Sequence, residues 1–103
     1  MSFDKQHSLS YVLTEAADLD IVEIYEYSFT VFGFSQAEEY LEGLHHLFIQ
    51  LTQYPNEGLQ REDLGGNIYS IPFGSHLVFY IILENTITIV RVLHQSQNAL
   101  DYF

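Results

Sequence analysis

The chain has 103 residues, 48% of them hydrophobic and 16% aromatic, enough apolar surface for one modest core and too little length for two. Three basic residues stand against fourteen acidic ones, a formal net charge of −11. That balance points away from nucleic acid, because neutralising phosphates takes clustered Lys or Arg, and Lys5, Arg61 and Arg91 stand apart.

In chain order, Ser10 to Leu13 is a short apolar segment read as a strand. It ends at Thr14, whose hydroxyl is placed to cap a helix opening with Glu15, Ala16 and Ala17. Leu19, Val22, Tyr25 or Glu26, and Phe29 then recur at helical spacing beside Ile21, Ile24, Ser28 and Phe32, a wide apolar stripe that stops at Gly33. A second helix follows at once. Ser35 and Glu38 have capping-box spacing, and Ala37, Leu41, Leu44, Phe48 and Leu51 share one face until Pro55 ends the pattern. The short connection at Gly33 predicts an antiparallel helical hairpin.

Residues 56–67 form a polar link bearing Gly58, Gly65 and Gly66, after which the chain reads as strand throughout. Ile68 to Phe73 alternates, and Pro72, which has no amide proton for a ladder, places that strand at an edge or ends it there. His76 to Leu83 and Ile87 to Leu93 flank a tight turn at Glu84, Asn85 and Thr86. The last residues, 96–103, are a tail that docks or hangs free. The fold class expected is α+β in one domain over 1–103: an N-terminal strand, a two-helix antiparallel hairpin, then a three-stranded antiparallel meander. The sheet should have three or four strands, with helices on one face and the other left for the tail or another chain.

With no cysteine, disulfides, thiolate metal sites and a cysteine nucleophile are excluded together. Asp4, Lys5, Gln6 and His7 stand where a signal peptide needs an apolar core, and the longest apolar run, Leu77 to Leu83, falls far short of the roughly 20 residues of a membrane helix. A soluble, cytoplasmic protein is the expectation.

Single residues carry less. Glu15, Asp18, Asp20, Glu23, Glu26, Glu38, Glu39 and Glu42 lie in a stretch without Lys or Arg, either a solvated helix face or a partner patch. Arg91 alternates with Ile87, Ile89 and Leu93, so a cation sits in an apolar row and needs a partner, either an internal acid or a target protein. His94 alternates with Val90 and Val92, and His76 with Val78 and Tyr80, which suits hydrogen-bonded strand histidines. His45 and His46 are adjacent and point apart, unlike a helical zinc pair, so neither metal nor cofactor is expected. Cleaving RNA needs a base, an acid and several cations. Arg61, His76, Arg91, His94 and Tyr102 are too few and too dispersed, and no catalytic residue is assigned.

Several segments nonetheless resemble one family. Tyr11 to Leu19, Ile21 to Tyr27, Phe32-Gly33 and Ala37 to Leu41 are similar to the start of a ParE-type toxin. Tyr54 to Gly58, Ile71 to Tyr80 and Ile89 to His94 resemble three later signatures of the ParE/RelE superfamily, in the right order and spacing. The resemblance implies the toxin of a type II toxin–antitoxin pair, acting by protein contact on DNA gyrase. It implies silencing by a cognate ParD-like antitoxin whose disordered segment folds over the toxin, in a heterotetramer or larger complex. It places antitoxin contacts at Tyr25, Phe29, Phe32, Tyr40, Leu44 and Phe48, and target contacts at Arg61, Tyr69, His76, Arg91, His94 and Tyr102. Two alternatives stay open: a ribosome-dependent endoribonuclease of the RelE kind, and a non-toxic homologue kept for antitoxin binding. The chain departs from the family where basic residues are usual, at Tyr69 and near Thr30 and Val31, and in its overall acidity.

Overall fold

Thr14 caps the first helix as expected and also fastens it to the far end of the chain. Its hydroxyl accepts from the amide of Ala17 at 3.0 Å and donates to the carbonyl of Val90 at 2.9 Å. The computed structural model describes residues 10–103, and the readings made of Asp4 to His7 fall outside that range. Strand β1 (Ser10–Leu13) leads into helix α1 (Glu15–Phe32), and helix α2 (Phe34–Gln53) follows after a single residue. That residue is Gly33, at φ 94°, a backbone state open to glycine at little cost, which lets the chain reverse without a loop. The expected capping box does not form: α2 begins at Phe34, one residue before Ser35, and has no side-chain cap. The glycine turn already sets where the helix starts.

The sheet exceeds the expected three or four strands. Its order is β1-β5-β4-β3-β2, with β2 at Leu59–Gln60, β3 at Tyr69–Phe73, β4 at His76–Leu83 and β5 at Thr86–His94. Strand β1 joins parallel to β5, pairing Ser10 with Thr86 through Leu13 with Ile89. The link read as polar coil contributes a two-residue strand, β2 (Leu59–Gln60), which pairs only with Ser70 and Tyr69. Pro72 therefore lies where the outer side of β3 carries no neighbour, as its missing amide proton requires.

The core lies between hairpin and sheet. Ala17 of α1, Leu44, Phe48 and Leu51 of α2, and Val78, Tyr80, Ile87, Ile89 and Val92 of the sheet form one buried cluster, with Ile21 and Ile24 packed against it. The wide stripe on α1 is thereby divided. Ala17, Ile21, Ile24 and Ser28, at i, i+4, i+7 and i+11, turn inward, whereas Leu19, Val22, Phe29 and Phe32 stay exposed.

One irregularity corrects the reading of Arg91. A register shift between Phe79 and Tyr80 sets Tyr80 opposite Ile89 but Phe79 opposite Arg91, leaving Val90 as the extra residue of a bulge. Ile87 and Ile89 belong to the helix-side core, while Arg91 and Leu93 pair across to Phe79 and Leu77 on the reverse face. Arg91 thus does not share a row with Ile87 and Ile89. On that reverse face the tail does dock: the Phe103 ring lies 5.2 Å from the ring of Phe79, and the Arg61 guanidinium 5.5 Å from it.

Candidate functional site

Past Ile89 the outer edge of β5 has no strand beside it among the described residues, because β1 has already paired its last residue and the chain has turned at Thr14. An unpaired strand edge leaves amide protons without acceptors. Asp20 of α1 supplies one. Its carboxylate accepts from the amide of Val92 at 2.9 Å and from the Arg91 side chain at 2.8 Å (Nε) and 2.7 Å (Nη2), a bidentate pair. This hydrogen-bonded pairing holds the Arg91 guanidinium above its ordinary pKa, against the opposing effect of partial burial. Of the eight acids in the stretch without Lys or Arg, Asp20 is drawn inward to do structural work, and the other seven are exposed.

Beside that ion pair opens a groove of about 780 Å³ between the hairpin and the ends of β4 and β5. One face of α1 lines it with Asp20, Glu23, Ile24 and Tyr27, at i, i+3, i+4 and i+7. Phe32, and Gln36 and Tyr40 of α2, close the hairpin side. His76, Arg91 and His94 form the sheet side, and Gln97 and Tyr102 of the tail the remaining rim. The rim is held in place. The Gln97 side chain accepts from the amide of His94 at 2.7 Å and donates to the Tyr102 hydroxyl at 2.8 Å, and the Tyr102 ring lies 4.9 Å from the Arg91 guanidinium.

The two imidazoles meet edge-on, with ring centroids 5.4 Å apart. The Tyr40 hydroxyl donates to the carbonyl of Phe73 at 3.1 Å and lies 2.7 Å from Nδ1 of His76. Burial pushes the His76 pKa below the usual imidazole range, His94 adds to the fall, and the negative charge of Asp20 opposes it. His76 is accordingly a neutral, hydrogen-bonded strand histidine at neutral pH.

Four of the six expected target residues, His76, Arg91, His94 and Tyr102, line this one groove, together with Phe32 and Tyr40 from the expected antitoxin set. The other two lie elsewhere. Tyr69 stacks on Tyr80 at 5.4 Å, and Arg61 sits on the reverse face, paired to Asp63 at 2.7 Å and donating to the Ser70 hydroxyl at 3.2 Å. Leu44 and Phe48 need correction as surface contacts: at 1% and 3% exposure they belong to the core, because the face they share with Leu51 meets the sheet. Tyr25 and Phe29 remain on the hairpin's outer side, with Tyr25 donating to Glu38 at 3.0 Å. Asp20 and Glu23 stand in the sequence only as two of eight acids, and Tyr27 and Gln97 carry no site assignment there. The i, i+3, i+7 spacing of Asp20, Glu23 and Tyr27 was the only signal available for three of them.

Among the described residues no group of three His, Asp or Glu side chains is arranged to hold a metal ion, and no helix is long and apolar enough to cross a membrane. Both basic side chains there are engaged in ion pairs, Arg61 with Asp63 and Arg91 with Asp20. The groove therefore offers aromatic walls, carboxylates and imidazoles, with its one guanidinium already held by Asp20.

Comparison with known proteins gives a consistent picture. A family model described as the ParE toxin of the type II toxin–antitoxin system parDE matches residues 11–99. Toxin ParE1 of Mycobacterium tuberculosis strain H37Rv is 35% identical over 93 residues, covering 89% of this chain and 95% of the relative. Toxin ParE1 of Caulobacter vibrioides is 35% identical over 89 residues, covering 86% and 92%. Among solved structures, the chromosomal ParDE system from P. aeruginosa is similar with a TM-score of 0.72 at 19% identity, covering 85% of this chain and 97% of that one. The RelBE2 toxin–antitoxin complex from Mycobacterium tuberculosis is similar with a TM-score of 0.61 at 19% identity, covering 84% and 98%. At that identity the two structures speak for the fold alone.

Proposed function

This chain belongs to the ParE toxin family of type II toxin–antitoxin systems, and we propose that it works in the cytoplasm by protein–protein contact, silenced by a ParD-like antitoxin and directed at DNA gyrase. The observation that carries this reading is the apolar surface the hairpin leaves uncovered. Phe29, Phe32 and Phe34 are 49%, 56% and 61% exposed, clustered where α1 turns into α2, and they continue along α1 through Val22 and Leu19. A stripe of this kind at i, i+3 and i+10 spacing is what an amphipathic segment that folds on binding covers. Antitoxin on the hairpin and tail of several copies would give a heterotetramer or larger complex.

A second reading, the ribosome-dependent endoribonuclease, draws support from one fact: His76, His94, Arg91 and Tyr102 converge on one groove. Against it stands the state of the cations. Arg91 is held by Asp20, and Arg61 is paired to Asp63 over the Phe79 ring, outside the groove. Stabilising a pentavalent phosphate takes cations free to meet it.

The test combines growth and biochemistry. Co-expression with the protein encoded by a small reading frame beside the gene should restore growth and yield a complex that survives size exclusion. Phe29→Ser with Phe32→Ser should weaken that complex more than tenfold while the melting temperature stays within about 2 °C, since both rings already face water. Purified toxin should inhibit supercoiling by gyrase. Position-specific message cleavage that disappears in His94→Ala would replace this reading with the nucleolytic one.

A further inference from the structure

We propose that the groove beside the Asp20–Arg91 pair is a receptor for a single basic side chain, arginine or lysine, carried by an apolar segment of the antitoxin. The inference rests on the antitoxin reading above and adds where and by what chemistry the partner is anchored.

The walls are aromatic on three sides: Tyr27 and Phe32 from α1, Tyr40 from α2 and Tyr102 from the tail. Ring faces attract cations, and this rim already does so once, with Arg91 set 4.9 Å from the centre of Tyr102. Two carboxylates, Asp20 and Glu23, meet one guanidinium in the groove, so one carboxylate is left over. It is Glu23, which makes no hydrogen bond or ion pair among the described residues, whereas Asp20 is bonded three times. A carboxylate beside ring faces that also attract cations is worth more to a cation than one standing alone on a helix.

Other occupants fit worse. A phosphate or an acidic segment would meet Glu23 with Arg91 already committed, and a purely apolar side chain would strip water from Glu23 without replacing it. Arginine and lysine carry an apolar stem for the Phe32 and Tyr27 walls and a charged tip for Glu23. The chain's net charge of −11 steers such a partner in from solution.

The histidines set when the receptor is open. His76 on β4 and His94 on β5 line the same groove, faced by Asp20 and Glu23 from α1, Tyr40 from α2, Arg91 from β5 and Tyr102 from the tail. Protonating His76 puts a like charge beside the guest. Affinity should therefore fall in acid.

Acetylated phenylalanyl-arginine amide and its citrulline counterpart, equal in shape but uncharged, separate charge from fit. Nitrogen-15 NMR titration of the whole chain should show the arginine compound moving amides of α1 around Glu23 and of β5 around Arg91, with the citrulline compound about tenfold weaker. Glu23→Gln should weaken the arginine compound several-fold and Glu26→Gln, one helical turn away, leave it unchanged. Moving from about pH 7.5 to about pH 5.5 should weaken it further. Equal binding of the two compounds, shifts confined to another surface, or tighter binding in acid overturns the proposal. Antitoxin binding is judged separately. A Glu23→Gln toxin that binds antitoxin as tightly as the parent sinks the receptor and keeps the antitoxin reading, whereas arginine binding in the groove without any antitoxin complex does the reverse.

Discussion

The interface between hairpin and sheet is closed at one end and open at the other, with a tyrosine at the centre of each. At the closed end Tyr80 is fully buried. Its hydroxyl donates to the carbonyl of Pro55 at 2.8 Å and accepts from the amide of Gly58 at 2.9 Å, binding the loop after α2 to the middle of β4. A Cβ on Gly58 would come within 2.6 Å of that hydroxyl, so only glycine lets the chain pass this close. At the open end Tyr40 is half-buried and meets His76, and around it stand exposed rings and Glu23, which has no partner among the described residues. At one end the central tyrosine spends both its donor and its acceptor on the loop after α2, whereas at the other a carboxylate stays without a partner among the described residues. Residues conserving the fold and residues free to bind can be told apart by that difference.

The largest effect should come from the Asp20–Arg91 pair, which ties hairpin to sheet beside the open end. Asp20→Ala leaves a guanidinium that is only partly solvated without its partner and frees the Val92 amide, and a loss of about 3 kcal/mol is expected in urea unfolding. Asp20→Ala combined with Arg91→Met should recover most of it, because no charge is then stranded. A single substitution that melts like the parent would mean that the β5 edge is satisfied some other way, and would return Arg91 to the list of free target contacts. Tyr80→Phe comes next, at about 2 kcal/mol, since it orphans a buried donor and acceptor at the closed end without changing shape. Tyr40→Phe at the open end should cost clearly less, and equal costs would erase the contrast between the two ends.

These contrasts also mark how far the residues spoke for themselves. Both helices, the turn at Gly33, the Thr14 cap and the three later strands were legible, because each depends on neighbours within a few positions: a hydroxyl three residues before an amide, or apolar groups every three or four. The parallel pairing of β1 with β5 joins segments some seventy positions apart and leaves no local trace. A bulge is equally silent, and one extra residue at Val90 was enough to undo the face assigned to Arg91. Asp20 reads like its seven acidic neighbours until the fold brings it to Arg91, 71 positions later. The site was half visible for the same reason: its histidines and rings stood out by type, whereas its carboxylates were hidden among many.

A smaller effect is expected from the reverse face. Removing residues 98–103 uncovers Phe79, which is fully buried under Phe103, and takes Tyr102 from Arg91. A stability loss of about 1–2 kcal/mol should follow, as for one aromatic pair and its buried area. The same truncation removes one wall of the groove, so partner binding should suffer more than folding. Thermal melts and antitoxin affinity measured on the same sample decide this, and a shortened chain that unfolds outright would show that the tail is part of the core.

The smallest effect concerns His76 and acid, and its direction is fixed by its surroundings. Burial and the neighbouring His94 hold the folded-state pKa below the ordinary imidazole value of about 6.5, which the unfolded chain retains. Above that pH both states are neutral at this residue and it contributes no slope. As the pH falls, the unfolded chain takes up the proton first, so stability declines until the folded protein protonates as well. His76→Gln should flatten this part of the pH–stability curve while leaving the carboxylate-driven loss at lower pH in place. His94→Gln should flatten it only in part, since burial, the larger of the two causes, stays. If His76→Gln leaves the curve unchanged between about pH 6.5 and about pH 5, the imidazole is better solvated than its bond to Tyr40 implies, and the open end of the interface is wetter than the closed one by more than the exposed side chains suggest.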